Sequence, residues 1–380
     1  RELLRAADRY GARLIPTGDI YQEGAIEAGR PFAQLLERFE TVRLKEIVRQ
    51  QNKELLACVY DAARGDVREA LEHIECGGGS ITEINNSRER RLALAEKYLS
   101  CAPEEREKVL MMSTSRAARA EINAHVREGL RADQTLRGED IETRVLEARD
   151  LTRAERKAAW SYAPGDFVRF RRDYKQLGIA RDEYYHVAAI DQKRDRVHLV
   201  AQDGRAIAWR PDQRGAKTAE VFRESERAVA LGEQLVWTRN DKELGIKNGS
   251  LLEVQAAGTG EIHARTQDGR EVRLDMSREA HRHFDHAYCQ TVRKSQGLDN
   301  AEVYIDMPSA SPLATQRSVY VSISRAQLKA HVFTDSKTEL ARRAHERTGE
   351  KTAALENVAH EKTVQRERGH ERKPTMELSR

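Results

Sequence analysis

The chain has 380 residues, enough for two or three domains with packed cores. It is 39% hydrophobic and 34% charged, and no uninterrupted apolar run approaches the ~20 residues that cross a bilayer, which excludes a helical membrane protein. The net charge is only +4; residues 336–380 hold 11 Lys/Arg against 8 Asp/Glu, so +3 of it sits there and any case for nucleic acid must rest on local basic patches.

In chain order, residues 2–10 read as a helix and residues 13–17 as a short buried strand through Leu14 and Ile15. Gly18-Asp19 is then the turn at its carboxyl end. A helix and strand with no leading strand predict an α/β fold entered midway. Apolar residues then recur at helical spacing from Pro31 to Ile74, with Gly65-Asp66 as a break and Gly77-Gly78-Gly79 as punctuation. Residues 89–99 and 115–130 are predicted helices, and Lys108 to Met112 a compact apolar strand.

Between Gly165 and Met276 the period changes to two and an internal repeat emerges. Gly165-Asp166-Phe167-Val168-Arg169-Phe170 matches Gly232-Glu233-Gln234-Leu235-Val236-Trp237. Lys175-Gln176-Leu177-Gly178-Ile179 matches Lys242-Glu243-Leu244-Gly245-Ile246, and Gln202-Asp203-Gly204-Arg205 matches Gln267-Asp268-Gly269-Arg270. Each Asp-Gly is flanked by alternating apolar residues, the pattern of a tight hairpin. Two tandem SH3-like β-barrels are the simplest architecture; chance likeness of short β segments is the competing account. Beyond them, Val303 to Ile305, Val319 to Ile323 and His331 to Phe333 read as strands, residues 324–329 as helical, and residues 336–380 as a frayed helix or disordered linker.

Several residues have the chemistry of a phosphate or nucleic-acid site. Gly18-Asp19-Ile20-Tyr21-Gln22 lies where a parallel strand would end, the place where α/β folds put ligand chemistry, and Gln can orient a water or sense a terminal phosphate. Taken alone, G-D-x-x-Q is common and reads first as a structural turn. Arg49 and Arg325, each beside an apolar element, suit a transferring phosphate or a surface ion pair. Thr291-Val292-Arg293-Lys294-Ser295-Gln296-Gly297 holds hydroxyls, cations, an amide and a glycine, an inventory for a phosphate backbone or for a solvated basic loop.

His281, His283 and His286 fit no standard zinc spacing, and Arg282 between them disfavours a cation, so no metal site is expected. Trp160, Trp209 and Trp237 read as core aromatics, with base stacking open to one of them. Cys58, Cys76, Cys101 and Cys289 form no C-x-x-C pair and read as reduced thiols. With no apolar secretory core among the first thirty residues, the expectation is a cytoplasmic protein without membrane insertion.

In order, G-D-x-x-Q, V-R-Q, Ser113-Thr114-Ser115-Arg116 with Ile122-Asn123, T-x-x-K-S-Q-G and Y-V-S-I-S-R-A resemble superfamily 1 DNA helicases of the RecD-like branch. The helicase part of TraI/TrwC-type (MobF) conjugative relaxases is the most similar, with Gly18 to Phe32 (G-D-x-x-Q…E-A-G-R-P-F) distinctive, and the resemblance covers about residues 1–335.

It implies a partial RecA-like (P-loop NTPase) lobe over residues 1–50, a helical connector over 51–104, and a second RecA-like domain over 105–160 and 280–335. A double SH3-like β insert (161–279) interrupts that domain, and a charged tail (336–380) follows. Carried over, Gly18, Asp19 and Gln22 match motif III, which couples the nucleotide site to the DNA track. Arg49 matches the motif IV arginine that reaches the γ-phosphate, and Arg325 the motif VI arginine finger. Thr291, Ser295, Gln296 and Gly297 match motif V, with Arg293 where the family usually has His and Lys294 beside it as a strand contact. Thr114 and Asn123 match a segment lining the strand path.

The implied activity is ATP-dependent 5′-to-3′ translocation on single-stranded DNA with duplex unwinding during conjugation. ATP and Mg²⁺ would be cofactors, and a relaxosome or coupling protein a partner. The chain contains no G-x-x-x-x-G-K-[ST] and no acidic Walker B strand, so the nucleotide ligands and the relaxase domain are expected upstream and the fragment alone inactive. The alternatives are a degenerate helicase-like module that only binds single-stranded DNA, and a RecD-like repair helicase.

Overall fold

The computed structural model describes residues 2–22, 31–42, 44 and 46–349. The chain divides into two compact units, one formed within Arg1–Ser87 and Val292–Arg380, the other within Arg88–Thr291.

The first unit opens with α1 (Glu2–Arg9) and α2 (Pro31–Leu36), followed by α3 (Lys53–Arg64), α4 (Val67–Cys76) and β1 (Ser80–Glu83). Asn52 starts α3 by accepting from the N–H groups of Glu54 and Leu55, and Gly65 ends it at φ +90°, a left-handed turn that glycine takes without steric cost. Residues 13–17 are not the expected buried strand. Ile15 is 70% exposed, and among the described residues no strand pairs with this segment, so its backbone has no ladder to join. The E-A-G-R part of the Gly18–Phe32 motif lies outside the described residues.

The second unit begins with α5 (Ser87–Leu99), α6 (Pro103–Arg106), β2 (Val109–Ser113) and α7 (Arg116–Ala132). Ser115 caps α7 by accepting from the Ala118 N–H. Then come β3 (Arg137–Ala148), β4 (Asp166–Phe170), β5 (Tyr184–Asp191), β6 (Arg196–Ala201), β7 (Ala206–Trp209) and β8 (Ala219–Leu231). They form an antiparallel sheet of order β3-β8-β4-β5-β6-β7. Next are β9 (Gln234–Trp237), β10 (Leu251–Gly258), β11 (Glu261–Thr266), β12 (Glu271–Asp275) and β13 (Phe284–His286), ordered β12-β11-β10-β9-β13. The last strand, β14 (Cys289–Thr291), runs parallel to β2.

The sequence repeat is a structural one. The runs β4-β5-β6-β7 and β9-β10-β11-β12 pair alike, and both second strands shift register at equivalent points, Val187/Ala189 and Val254/Ala256. In each repeat the arginine after Asp-Gly donates to the glycine of the K-x-L-G-I loop, Arg205 to Gly178 O at 3.3 Å and Arg270 to Gly245 O at 3.2 Å. Trp209 centres the first core and Trp237 the second, each fully buried. Antiparallel pairing starts at Arg137, ahead of the expected residue 161, because β3 pairs along β8 from Arg137 to Ala148.

The chain returns to the first unit with β15 (Asn300–Asp306), α8 (Gln316–Ile323), β16 (Ala326–Thr334) and α9 (Lys337–Glu346). Strand β16 lies between β1 and β15, parallel to both. Here the expected strand and helix change places. Val319 to Ile323 is helical because Thr315 and Ser318 form a reciprocal capping box that starts a helix at Gln316. Ala326 onward is strand because its backbone is claimed on both sides by parallel partners. The first part of the expected tail is a helix capped by Ser336, with Leu340, Ala341 and Ala344 buried. Residues 350–380 lie outside the described residues. Among the described residues no helix is long and apolar enough to cross a membrane.

The fold is therefore α/β, with parallel strands and flanking helices joined in sequence to a pair of antiparallel β repeats.

Candidate nucleotide and strand site

Asp19, in the turn before α2, gathers the first group. Its carboxylate accepts from the Tyr21 N–H at 2.9 Å, from the Gln22 amide at 3.1 Å and from the Tyr320 hydroxyl of α8 at 3.1 Å. Gln296 in turn donates to Gln22 Oε1 at 2.6 Å, and the Tyr21 and Tyr320 rings meet edge to face at 6.2 Å. Burial, then the charge and hydrogen bond of Asp19, push the Tyr320 hydroxyl up to about 12, so it remains a donor at neutral pH. Gly18 packs against Phe32 so closely that a Cβ there would sit 3.2 Å from the ring.

The second group is built on the turn between α8 and β16. Arg49 donates to the Ser324 carbonyl at 2.7 Å, and Gln50 bridges the carbonyls of Ser324 and Ala326 at 3.2 and 2.7 Å. Arg325, only 3% exposed, donates to Val321 O at 3.1 Å, Leu298 O at 3.3 Å and Ser324 Oγ at 3.3 Å. Among the described residues neither arginine has a carboxylate within ion-pair distance. Burial, followed by the Arg49 charge, holds Arg325 below its ordinary value, with Tyr320, Asp299 and Asp19 opposing. Two guanidiniums that repel each other without a counterion favour the arrival of an anion.

Gln22, Asp19, Arg49, Gln296 and Arg325 are thus brought together in one unit. A cleft of about 430 Å³ lies beside them, lined in part by Tyr21, Tyr320, Gln316 and Arg317. The donors of the cluster itself, Arg49, Arg325, Gln22 and Gln296, suit the phosphates of a nucleotide. The cluster does not suit Mg²⁺, because its one carboxylate, Asp19, already accepts three hydrogen bonds. Tyr320 and Gln50 were not singled out by the sequence, although both sit inside the quoted motifs; an aromatic hydroxyl one helical turn ahead of Arg325 was the available signal.

In the basic loop, Arg293, Lys294, Gln296 and Gly297 are exposed, and Gly297 turns the chain at φ +95°. Ser295 differs from its expected role. It is fully buried and donates to Val292 O at 2.8 Å, so it shapes the loop instead of facing a strand. In the other unit Thr291 ends β14 opposite Ser113. Asn123, also buried, accepts the Cys289 N–H at 2.8 Å and thereby fixes β14 against α7, while Thr114 is 8% exposed. Asn123 holds the edge at β14, and both residues offer little surface to a ligand.

The three histidines each have a protein partner. His281 accepts from the Asp275 N–H, His286 meets Ala228 O, and His283 meets the Tyr184 hydroxyl at 2.6 Å. Trp160 departs from the core reading: it is 67% exposed. Of the cysteines, all free thiols, Cys58 and Cys289 are buried and Cys76 is exposed.

An AAA domain model matches residues 1–86, the stretch that carries Asp19, Gln22 and Arg49. The multifunctional conjugation protein TraI of Escherichia coli is 24% identical over 372 residues, covering 86% of this chain and 20% of the relative. The conjugal transfer protein TraA of Rhizobium radiobacter is 23% identical over 323 residues, covering 84% and 22%. The chain thus spans about a fifth of the length of the curated relatives it matches. Among solved structures, Bacteroides Pif1 bound to ssDNA covers 94% of this chain and 68% of its own at 14% identity and TM-score 0.44. Pif1 helicase from Candida albicans covers 92% and 67% at 12% identity and TM-score 0.42. Over most of its length the chain is thus similar to one part of the TraI and TraA conjugation proteins, and its first 86 residues match an AAA domain.

Proposed function

We propose that this chain is the motor portion of a conjugative relaxase–helicase, coupling ATP hydrolysis to 5′-to-3′ movement along single-stranded DNA and unwinding duplex during transfer. The observation that carries this reading is the meeting of Arg49 and Arg325 on Ser324, buried or half-buried and with no carboxylate partner among the described residues. A module that only binds DNA has no use for two such guanidiniums. An enzyme that stabilises charge on a departing phosphoryl group does.

In this reading Arg49 and Arg325 face the γ-phosphate and Gln22 senses it. The Gln22–Gln296 hydrogen bond relays its state to the loop at Arg293 and Lys294, which grips the strand by charge. Gly18 and Gly297 provide the two turns, and Asp19 with Tyr320 holds Gln22 in place. Thr291 contacts the strand at the start of the loop and Thr114 lies beside the strand path, while Asn123 and Ser295 position backbone. The phosphate-cradling lysine and the Mg²⁺-holding carboxylate come from adjoining sequence, as does the relaxase domain, and the relaxosome or a coupling protein is the partner.

The isolated chain is expected to bind single-stranded DNA with negligible ATP hydrolysis, whereas the complete protein hydrolyses ATP when such DNA is added. Robust turnover by the chain alone would show that the nucleotide site is misplaced. No DNA-stimulated turnover by the complete protein would favour the binding-only module.

A further inference from the structure

Two of the three tryptophans are spent on the barrel cores, but Trp160 is 67% exposed, and its indole N–H has no protein partner among the described residues. A single exposed aromatic is unremarkable by itself. This one is held on a rigid mount. It sits in a single 3₁₀ turn, Ala159–Ser161, between a fully buried Ala159 and a buried Tyr162. The Ala159 N–H donates to Asp195 at 2.9 Å, and the Tyr162 hydroxyl donates to Arg156 O at 2.7 Å. The Tyr162 ring packs edge-on against Trp209 at 5.4 Å, so the mount is tied into the first barrel core.

The surroundings are basic. Arg153 and Lys157 precede Trp160, and the Asp195 bond brings the Lys193–Arg194 turn against the same mount. Arg153, Lys157 and Lys193 are exposed and have no ion-pair partner among the described residues, while Arg194 leans on Asp191 at 3.6 Å and stays open to solvent. The nearby carboxylates are engaged: Glu155 accepts the Thr152 N–H and Asp195 the Ala159 N–H. An exposed indole on an anchored turn, with exposed cations on the same and the neighbouring turn, suits a base stacked on the ring and phosphates beside it.

We propose that Trp160, flanked by Lys157 and the Lys193–Arg194 turn, is a base-stacking contact for single-stranded DNA, separate from the Arg293–Lys294 loop. This rests on the single-stranded DNA reading above and assigns that ligand a second point of contact.

The test uses the full chain with oligothymidylate. Trp160→Ala is expected to weaken binding about tenfold and Trp160→Phe to restore most of it, since stacking needs a ring and not an indole. In the unaltered chain, iodide quenches the exposed Trp160 and not the buried Trp209 and Trp237, and DNA is expected to protect it. Unchanged affinity in Trp160→Ala, or quenching that persists at saturating DNA, would overturn the proposal while leaving the motor reading intact. Unchanged affinity with altered sedimentation would make Trp160 a protein contact, which also overturns it. If the full chain fails to bind oligothymidylate at all, both readings fall. Should Trp160→Ala not fold, the protection experiment and Trp160→Phe still decide.

Discussion

Arg325→Ala in the complete protein separates chemistry from strand binding. The guanidinium it removes makes three hydrogen bonds, to Val321 O, Leu298 O and Ser324 Oγ. Val321 O keeps the Ser324 hydroxyl as a donor at 3.0 Å and Leu298 is 41% exposed, so the loss costs only about 1 kcal/mol in stability. Relief of the repulsion from Arg49 offsets part of that. The catalytic loss is larger. An arginine aligned on a transferring phosphoryl group is worth roughly 10³–10⁵ in kcat, or about 4–7 kcal/mol of barrier. DNA-stimulated ATP turnover, measured with ATP and single-stranded DNA both saturating, is therefore expected to fall by about a thousandfold or more, with DNA affinity unchanged. Arg325→Lys is not expected to rescue, because one ammonium cannot reach three acceptors set by a planar fork. If Arg49 acts on the same phosphate, adding Arg49→Ala costs less than its effect alone. A kcat within about tenfold of the unaltered protein would refute the assignment of Arg325 to the reaction.

Removing both cations of the exposed loop, Arg293→Ala with Lys294→Ala, should weaken strand binding and make its dependence of log K on log salt shallower by about 0.7 per lost phosphate contact; an unchanged slope would return the loop to ordinary solvated surface. His283 supplies a pH test. Burial, then the charges of Arg239, Arg169 and Arg282, lower its folded value to about 3, against about 6.5 when unfolded. The unfolded chain therefore binds a proton first, and stability is lost as pH falls from about 6.5 toward 3, by roughly 1.4 kcal/mol per pH unit. Urea midpoints for the unaltered chain and His283→Gln should converge as pH falls through that window; parallel profiles would show that His283 is not held neutral.

Much of the architecture was legible along the chain. The helix at residues 116–132, the strand at 109–113 and the duplicated hairpins each rest on local patterns, a serine cap, a dense apolar run and Asp-Gly turns, that hold wherever the segment lies. Arg49 and Arg325 could be suspected from residue type. Their shared anchor at Ser324 and the lack of a carboxylate between them could not, since 275 residues separate Arg49 from its acceptor.

Where prediction failed, either a local hydrogen bond that composition does not reveal or a distant strand partner decided the outcome. Val319 to Ile323 has the composition of a strand, but the capping box at Thr315 and Ser318, just ahead of the apolar run, makes it a buried helix. Ala326 to Thr334 becomes a strand because β1 and β15 take up its backbone. Ser295 has the chemistry of a strand contact, yet its hydroxyl turned inward to a carbonyl. The order of motifs, the repeat and the chemical inventory were determined by the sequence itself, because spacing and side-chain type are local. Which tryptophan faces water, which hydroxyl is spent inside and which arginines share one turn were decided only in the tertiary structure, because exposure and counterion pairing depend on segments that meet across the fold.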